Sequence, residues 1–241
     1  MTLEESRKKI IFALDVHCLD DINWWAEILA DKVGMFKVGK ELFTACGPAA
    51  VKAVQRHGGR VFLDLKYHDI PNTVANAMLE AARLGVQLAN LHALGGAEMM
   101  ETAVTAVHKE FNGAERPRLL AVTILTSSTV ETLRQVGIEH SVQDMVVRLA
   151  RLAKESGMDG VVASPLEIDL IREACGPDFL IVTPGVRPSF ASADDQKRIM
   201  TPAEAVCCGA DYLVIGRPIA KAADPVQAAE CIAAEIANGA V

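Results

Sequence analysis

Strand-length apolar runs alternate with longer amphipathic stretches eight times along the chain, and this alternation limits the fold more than any other feature. Strict alternation with short connections predicts parallel strands joined by right-handed helical crossovers. Eight such units in 241 residues favour a closed (β/α)8 TIM barrel, folded as a single domain over residues 1–241. The predicted strands are Ile10–Asp15, Met35–Val38, Val61–Lys66, Leu88–His92, Leu119–Leu125, Gly160–Ala163, Leu180–Thr183 and Tyr212–Ile215.

The stretches between the predicted strands have the spacing of amphipathic helices. The structural alternative is an open, doubly wound sheet, which normally has a glycine-rich turn after its first strand. Asp15-Val16-His17 follows the first predicted strand here and contains no glycine, so the barrel is preferred. The main predicted helices are Asp21–Lys32, Leu42–His57, Asn72–Leu84, Ala97–Phe111, Val142–Ser156, Leu166–Ala174, Pro202–Cys208 and Pro225–Asn238.

The charge balance narrows the choice of partners and compartment. The chain has 24 Lys and Arg against 31 Asp and Glu, a net charge of −7, which argues against a nucleic-acid or anionic membrane partner. No apolar run exceeds strand length and the N-terminus is charged, so we expect a cytoplasmic protein without a membrane anchor. The six cysteines form no C-x-x-C pair, and we expect them to be small buried residues rather than metal ligands.

Charged residues stand where the first three strands should end. They are Asp15, Lys37, Asp64 and Lys66. Residues i and i+2 of a strand share a face, so Asp64 and Lys66 are predicted to point the same way. A structural ion-pair network would explain any one of these charges. Four of them on neighbouring strands, at the end of a barrel where active sites lie, favour a catalytic site.

A further acid follows in the loop Asp69-Ile70-Pro71-Asn72-Thr73. Asn72 is predicted to be the N-cap of the next helix, because asparagine is among the preferred capping residues. That reading explains Asn72 and Pro71. It does not explain why Asp69 stands three residues after Lys66.

The loops after predicted strands seven and eight resemble a phosphate site. They carry Arg187 and Arg217, and Gly216 offers a free backbone N–H beside Arg217. Barrels often bind phosphate at these two loops, and paired guanidinium groups suit that anion. Gln196, within the long segment 187–201, could add a neutral donor. Either arginine alone could be a solvated surface charge, but the pair at these positions favours phosphate binding.

The string Asp64-Leu65-Lys66-Tyr67-His68-Asp69-Ile70-Pro71-Asn72-Thr73 resembles the D-x-K-x-x-D-I-P-x-T signature of the orotidine 5′-monophosphate decarboxylase family. The D-x-K-x-x-D part alone is shared with sugar-phosphate enzymes of the same superfamily, whereas I-P-x-T and both arginine loops are more specific. Further blocks resemble the family in the same order, from about Ile11 to about Ile219. They are Ala13-Leu14-Asp15, Phe36-Lys37-Val38-Gly39, Leu125-Thr126-Ser127, Pro184-Gly185-Val186-Arg187, Asp195-Gln196 and Ile215-Gly216-Arg217-Pro218.

The resemblance implies a barrel of the ribulose-phosphate-binding type that converts orotidine 5′-monophosphate to uridine 5′-monophosphate and CO2, the last step of de novo UMP biosynthesis. It also implies a homodimer in which Asp69, Ile70 and Thr73 reach the neighbouring active site. The catalytic residues that it implies are Lys37, Asp64, Lys66 and Asp69. The implied substrate contacts are Asp15 and Lys37 to the ribose, Thr126 and Pro184 to the base, and Arg187, Gln196, Gly216 and Arg217 to the phosphate. Ile70 and Thr73 are implied to contact the substrate from the neighbouring subunit.

No pyridoxal phosphate or thiamine signature is apparent, so we expect a cofactor-independent and metal-independent reaction. Lys66 would then stabilise the C6 carbanion and donate the proton to it. Two alternatives stay open on the sequence. One is a magnesium-dependent sugar-phosphate decarboxylase or lyase of the same superfamily, in which the first acid of D-x-K-x-x-D ligates the metal. The other is a catalytically silent nucleotide-binding barrel.

Overall fold

Eight parallel strands close on themselves in the computed structural model, which describes residues 1–190 and 200–239. Each strand pairs with its neighbours in chain order, and the last strand returns to pair with the first. The predicted (β/α)8 barrel is therefore confirmed. The strands are β1 (Ile10–Leu14), β2 (Met35–Gly39), β3 (Val61–Tyr67), β4 (Leu88–His92), β5 (Arg118–Val122), β6 (Gly160–Val162), β7 (Leu180–Pro184) and β8 (Tyr212–Ile215).

Helices surround this barrel on the outside. No helix among the described residues is both long and apolar enough to cross a membrane. Within the same residues, the helices are α1 (Leu3–Lys8), α2 (Leu19–Leu29), α3 (Lys40–Cys46), α4 (Pro48–Arg56), α5 (Pro71–Arg83), α6 (Ala97–Glu110), α7 (Val130–Gln135), α8 (Val142–Glu155), α9 (Ile168–Cys175), α10 (Pro202–Cys207), α11 (Arg217–Ala220) and α12 (Pro225–Gly239).

Two helix predictions need correction, and proline explains both. The predicted helix Leu42–His57 is divided into α3 and α4, because Gly47 takes a positive φ of +57° and Pro48 then begins a new helix. Asn72 is not an N-cap, since α5 begins one residue earlier at Pro71. Proline has no N–H to satisfy and a φ suited to the first helical position, so that helix starts without a side-chain cap.

Two apolar layers hold the structure together, because alternate strand residues face opposite sides of the sheet. Ile10 and Phe12 point outward and pack under the helices, whereas Ile11 between them points into the barrel. The barrel is thus filled rather than open along its axis. Its inner layer consists of Ile11, Met35, Phe62, Leu88, Leu120, Val122, Val162 and Val182.

Polar side chains cap the amino-terminal ends of the strands, which we call the lower end of the barrel. Just before β4, β6 and β8 stands a residue whose side chain accepts a backbone N–H from the start of the preceding strand. Each bond satisfies a donor that the strand ladder leaves free. The bonds run from Val61 N to Gln87 Oε1 at 2.7 Å, from Leu119 N to Asp159 Oδ2 at 2.8 Å and from Ile181 N to Asp211 Oδ2 at 2.8 Å.

The two acids among these three capping residues each form an ion pair with an arginine. We call these two arginine–aspartate pairs the basal ion pairs. Asp159 accepts both terminal nitrogens of Arg116 at 2.7 Å each. Asp211 accepts Arg172 Nη2 at 2.6 Å, and the same guanidinium donates to backbone carbonyls, including that of Gly209. The basal ion pairs therefore join strands, loops and α9 at the lower end.

The cysteines differ from the prediction. Only Cys175 is buried, whereas Cys18, Cys207 and Cys231 are exposed, and none of the six is in a disulfide. Most of them lie on helices or at helix ends, where sequence neighbours one residue apart face different sides. An apolar neighbourhood in the sequence is therefore a poor guide to their burial.

Candidate active site

The carboxyl ends of the strands, which we call the upper end of the barrel, surround a cavity of about 220 Å³. A more open groove of about 640 Å³ runs along the outer face of α8, but its lining contains no residue of the predicted site. The upper cavity has charges on one wall and mainly apolar residues on the others. Its lining comprises Lys37, Phe62, Asp64, Lys66, Val122, Ile124, Leu125, Thr126, Ser127, Val162, Ala163, Pro184 and Val214.

A row of side chains with alternating charge lies along the charged wall. Lys66 Nζ lies 2.5 Å from Asp64 Oδ1, and Lys37 Nζ lies 3.6 Å from Asp64 Oδ2. Lys37 Nζ is also 3.7 Å from Asp15 Oδ1. A Cβ at Gly39 would stand 2.9 Å from Lys37 Nζ, so glycine leaves room for this ammonium group. The structure thus brings together the four charges that the strand ends predicted.

Asp64 is the buried centre of this row of charges, with 8 % of its surface exposed. Burial by itself raises the pKa of its carboxyl group, but Lys66 and Lys37 outweigh this effect and hold the pKa below its ordinary value. Asp64 is therefore an anion at neutral pH. It can hold the Lys66 ammonium in one place at the edge of the cavity.

The backbone at Lys66 is not that of a regular strand. Its φ of +51° is the one positive value at a non-glycine residue within 1–190 and 200–239. The ladder between β3 and β4 shifts register between Leu63 and Tyr67. Asp64 and Lys66 do meet, as predicted, but a left-handed residue at a bulge brings them together rather than simple strand alternation.

Asn90 on β4 is a part of the site that the sequence prediction missed. It is fully buried, its Nδ2 donates to Asp64 Oδ1 at 2.7 Å, and its Oδ1 accepts the backbone N–H of Lys66 at 2.8 Å. The only sequence signal was an asparagine inside the otherwise apolar start of the strand Leu88–His92. A buried polar side chain in such a run needs partners, and this one finds both of them on β3.

His92 ends β4 on the same rim. Its ring lies 5.6 Å from that of His68, and its Nδ1 is buried without a hydrogen-bond partner among the described residues. Burial is the largest of the effects that lower the pKa of His92 to about 4, and the neighbouring His68, Lys40 and Lys66 act in the same direction. His92 is therefore neutral near pH 7.

The residues predicted to contact the base and phosphate lie farther round the rim. Thr126 and Pro184 line the cavity. Arg187 follows β7 and donates to its neighbouring carbonyl of Val186, while Arg217 is exposed and begins α11 directly after β8. Since β7 and β8 are adjacent, the two arginine loops are neighbours. Gly216 is the N-cap residue of α11, and Gln196 lies outside the described residues.

Asp69, Ile70 and Thr73 stand apart from this cluster. All three are exposed, and 67 % of the Ile70 surface is accessible. The Asp69 carboxylate accepts the adjacent Ile70 N–H at 2.7 Å and forms no ion pair within the described part of the chain. A single copy of the chain thus assembles Lys37, Asp64 and Lys66 but not Asp69. In the described residues, no group of three His, Cys, Asp or Glu has the arrangement of a metal site.

Comparison with known proteins gives consistent matches over nearly the whole chain. The sequence model of the orotidine 5′-phosphate decarboxylase / HUMPS family matches residues 8–232. Proteins named orotidine 5′-phosphate decarboxylase from Trichlorobacter lovleyi and Pelobacter propionicus are 78% and 76% identical to the chain, each covering 99% of both sequences. The crystal structure of orotidine 5′-phosphate decarboxylase from Lactobacillus acidophilus is 39% identical, covers 94% of this chain and 98% of its own, and superposes with a TM-score of 0.83.

Proposed function

Because this chain belongs to the orotidine 5′-phosphate decarboxylase / HUMPS family, we propose that its upper cavity decarboxylates orotidine 5′-monophosphate. The products are uridine 5′-monophosphate and CO2, and the reaction is the last step of de novo UMP biosynthesis. One observation carries the assignment of Lys66. Its ammonium is held 2.5 Å from a buried carboxylate at the edge of a cavity with largely apolar walls.

The difficulty of the reaction is the electron pair that CO2 leaves behind. The bond from C6 to the carboxylate breaks, and C6 keeps the pair without an ordinary resonance sink. Fixed charges in a water-poor site stabilise such an anion better than water does, because they need no reorganisation. Lys66 supplies a compact positive charge beside C6 and then gives its proton to C6. Solvent returns a proton to the amine after the product leaves.

Asp64 and Lys37 support this step. Asp64 is ionised, orients the Lys66 ammonium and lies beside the carboxylate that leaves. Lys37 lies between Asp64 and Asp15, so it balances the buried negative charge and can donate to a ribose hydroxyl. Asp15, with most of its side chain exposed at the rim, accepts from the ribose.

The rest of the substrate extends along the rim. Thr126 hydrogen-bonds the pyrimidine and Pro184 packs against it, since both line the apolar side of the cavity. Arg187 and Arg217, with the Gly216 N–H, bind the phosphate from adjacent loops. Gln196 adds a neutral donor from the segment between them. The phosphate is remote from the bond that breaks, so its binding energy serves orientation of the reacting end.

A homodimer completes the site in this proposal. Asp69, Ile70 and Thr73 are exposed around the start of α5 and contribute nothing to the cluster of their own chain. We assign them to the active site of a second copy, where Asp69 joins the Lys37–Asp64–Lys66 cluster and Ile70 and Thr73 contact the substrate. An exposed isoleucine beside an acid that forms no ion pair among the described residues fits a surface that another subunit covers.

The activity is tested by following the ultraviolet absorbance of orotidine 5′-monophosphate after adding purified protein, with and without EDTA. We expect rapid loss of substrate absorbance in both conditions. Loss abolished by EDTA and restored by magnesium would replace the mechanism with a metal-dependent one. Tight binding of uridine 5′-monophosphate without any turnover would identify a silent binder.

The shared site is tested by mixing two inactive variants, Lys66→Ala and Asp69→Ala. After subunit exchange, we expect the mixture to regain about a quarter of wild-type activity, because half of the dimers are mixed and each mixed dimer has one intact site. A mixture that stays inactive, although exchange is shown by mass, would place Asp69 in its own chain's site.

A further inference from the structure

We propose that Asn90 is a positioning residue for the reaction, and that it fixes both the Asp64 carboxylate and the backbone of Lys66. The proposal rests on the role of Lys66 in the proposed function. Asn90 itself lies behind the charged wall and is absent from the lining of the cavity, so it acts through its two partners.

The two hydrogen bonds of Asn90 determine which way its carboxamide is turned. A backbone N–H on one side requires an acceptor, and the Asp64 carboxylate on the other side requires a donor. Only a neutral side chain with both functions meets the two requirements at once. Aspartate lacks the donor when ionised, and leucine lacks both functions.

The contact with Lys66 falls where the strand most needs support. A φ of +51° is unfavourable for lysine, because Cβ approaches the following carbonyl. Here the N–H of Lys66 bonds to the Asn90 side chain at a point where the β3–β4 register shifts. That bond holds the left-handed conformation, and this conformation turns the lysine side chain back onto Asp64.

Gln87 provides an internal comparison on the same strand connection. Its carboxamide stands just before β4 and also accepts a backbone N–H from β3, from Val61 at 2.7 Å. Gln87 lies at the lower end, far from the catalytic cluster, and its other bond goes to the carbonyl of Gly85. The same chemistry therefore occurs just before β4 and in its middle, but of these two carboxamides only that of Asn90 is connected to charged residues of the site.

The experiment compares Asn90→Ala, Asn90→Asp and Gln87→Ala with the wild-type enzyme and with Lys66→Ala. We expect Asn90→Ala to lower kcat roughly 100-fold, as a misplaced catalytic group does, while KM changes little. Gln87→Ala should lose thermal stability and keep the wild-type kcat. Lys66→Ala reports on the proposed function independently.

Asn90→Asp separates positioning from a purely structural role. A protonated Asp at this position can donate to Asp64 and accept from the Lys66 N–H, whereas its carboxylate would repel Asp64. Burial and the Asp64 charge raise the pKa of the new acid, with Lys66 and Lys37 opposing them. Its kcat relative to wild type should therefore fall as pH rises.

Two results would overturn the proposal. One is wild-type kcat in Asn90→Ala when Lys66→Ala is inactive, which would leave the proposed function intact. The other is a ratio of Asn90→Asp to wild-type kcat that does not change with pH. The second result overturns the proposal even if Asn90→Ala fails to fold, because the change of kcat with pH is measured within one folded variant, Asn90→Asp.

Discussion

Both ends of the barrel bury acids among basic side chains, but the two ends use different bases. At the lower end, the planar guanidinium of Arg116 donates two hydrogen bonds of 2.7 Å to the carboxylate of Asp159. At the upper end, the partners of Asp64 are the lysines 37 and 66. Arginine holds a carboxylate in a fixed fork and keeps its proton, whereas lysine is a movable point charge that can give its proton away.

The carboxylate of Asp159 at the lower end is also more fully hydrogen-bonded than that of Asp64 at the upper end. Asp159 also accepts Arg118 at 3.0 Å and the Leu119 N–H at 2.8 Å. Asp64 is tightly bound through Oδ1, but its Oδ2 lies 3.6 Å from Lys37, which is itself 3.7 Å from Asp15. At the lower end, both carboxylate oxygens of Asp159 are therefore hydrogen-bonded within the protein, as in a structural ion pair. The upper end keeps charge and space available, as the proposed substrate and second subunit require.

The sharpest test of this contrast removes one lysine from each end. Lys66→Ala should lower kcat by roughly 10⁴-fold or more, because it removes both the proton donor and the cation beside C6. Lys154 is the matched control, because its one hydrogen bond within the described residues goes to the carbonyl of Cys175 at the lower end, and Lys154→Ala should keep the wild-type kcat. Ordinary turnover by Lys66→Ala would remove Lys66 from its proposed role.

The second test removes one acid from each end. Asp159→Ala should cost about 3 kcal/mol of unfolding free energy, since it leaves Arg116 partly buried without its partner, while the folded fraction keeps its kcat. Asp64→Ala should do the reverse and lose turnover with a smaller loss of stability. Urea unfolding and steady-state kinetics measure both. Equal stability losses in the two variants would refute the division between the ends.

The third test concerns the arginines. Arg217→Ala should lower kcat/KM roughly 100-fold, because charge-assisted bonds to the phosphate are lost. Orotidine, which lacks the phosphate, should be turned over faster by wild-type enzyme when phosphite is added, and Arg217→Ala should lose much of this activation. Arg118→Ala, at the lower end, is the control and should leave kcat/KM unchanged. Absence of phosphite activation in the wild type would contradict the proposed role of phosphate binding.

The smallest expected effect is a difference in acid sensitivity. The folded-state pKa of His92 is about 4, below its ordinary value of 6.5. Between these values the unfolded chain binds a proton that the folded protein excludes, so stability falls as pH drops from 6.5 towards 4. Asp64 and Asp159 have lowered pKa values, so their contribution is present above the ordinary value of 3.8 and is lost only below it.

Urea unfolding near neutral pH and near pH 5 checks this difference. His92→Gln should lose less stability between the two conditions than the wild type does, since it has no proton to exclude. Asp159→Asn should lose as much as the wild type over the same interval. An unchanged loss in His92→Gln would show that His92 does not contribute to acid sensitivity at the upper end.

The amino-acid sequence was sufficient to predict the strand order and the meeting of four charges, because both depend on local period and on strand adjacency. It was insufficient for Asn90, whose partners Lys66 and Asp64 lie 24 and 26 residues away. No local pattern encodes a hydrogen bond between two strands at a bulge. The positive φ of Lys66 could not be predicted from the sequence either. Strand alternation correctly predicted that Lys66 meets Asp64, but it assumed a regular strand backbone that Lys66 does not have.

The left-handed backbone at Lys66 has a consequence for protein engineering. The letters D-x-K could be written into any strand of another barrel, but a regular pleat would direct the lysine differently from the bulged one found here. A faithful transplant must include the register shift and a carboxamide on the adjacent strand. The transferable unit is therefore a two-strand module, and a catalogue of active sites built from contiguous sequence strings would omit half of it.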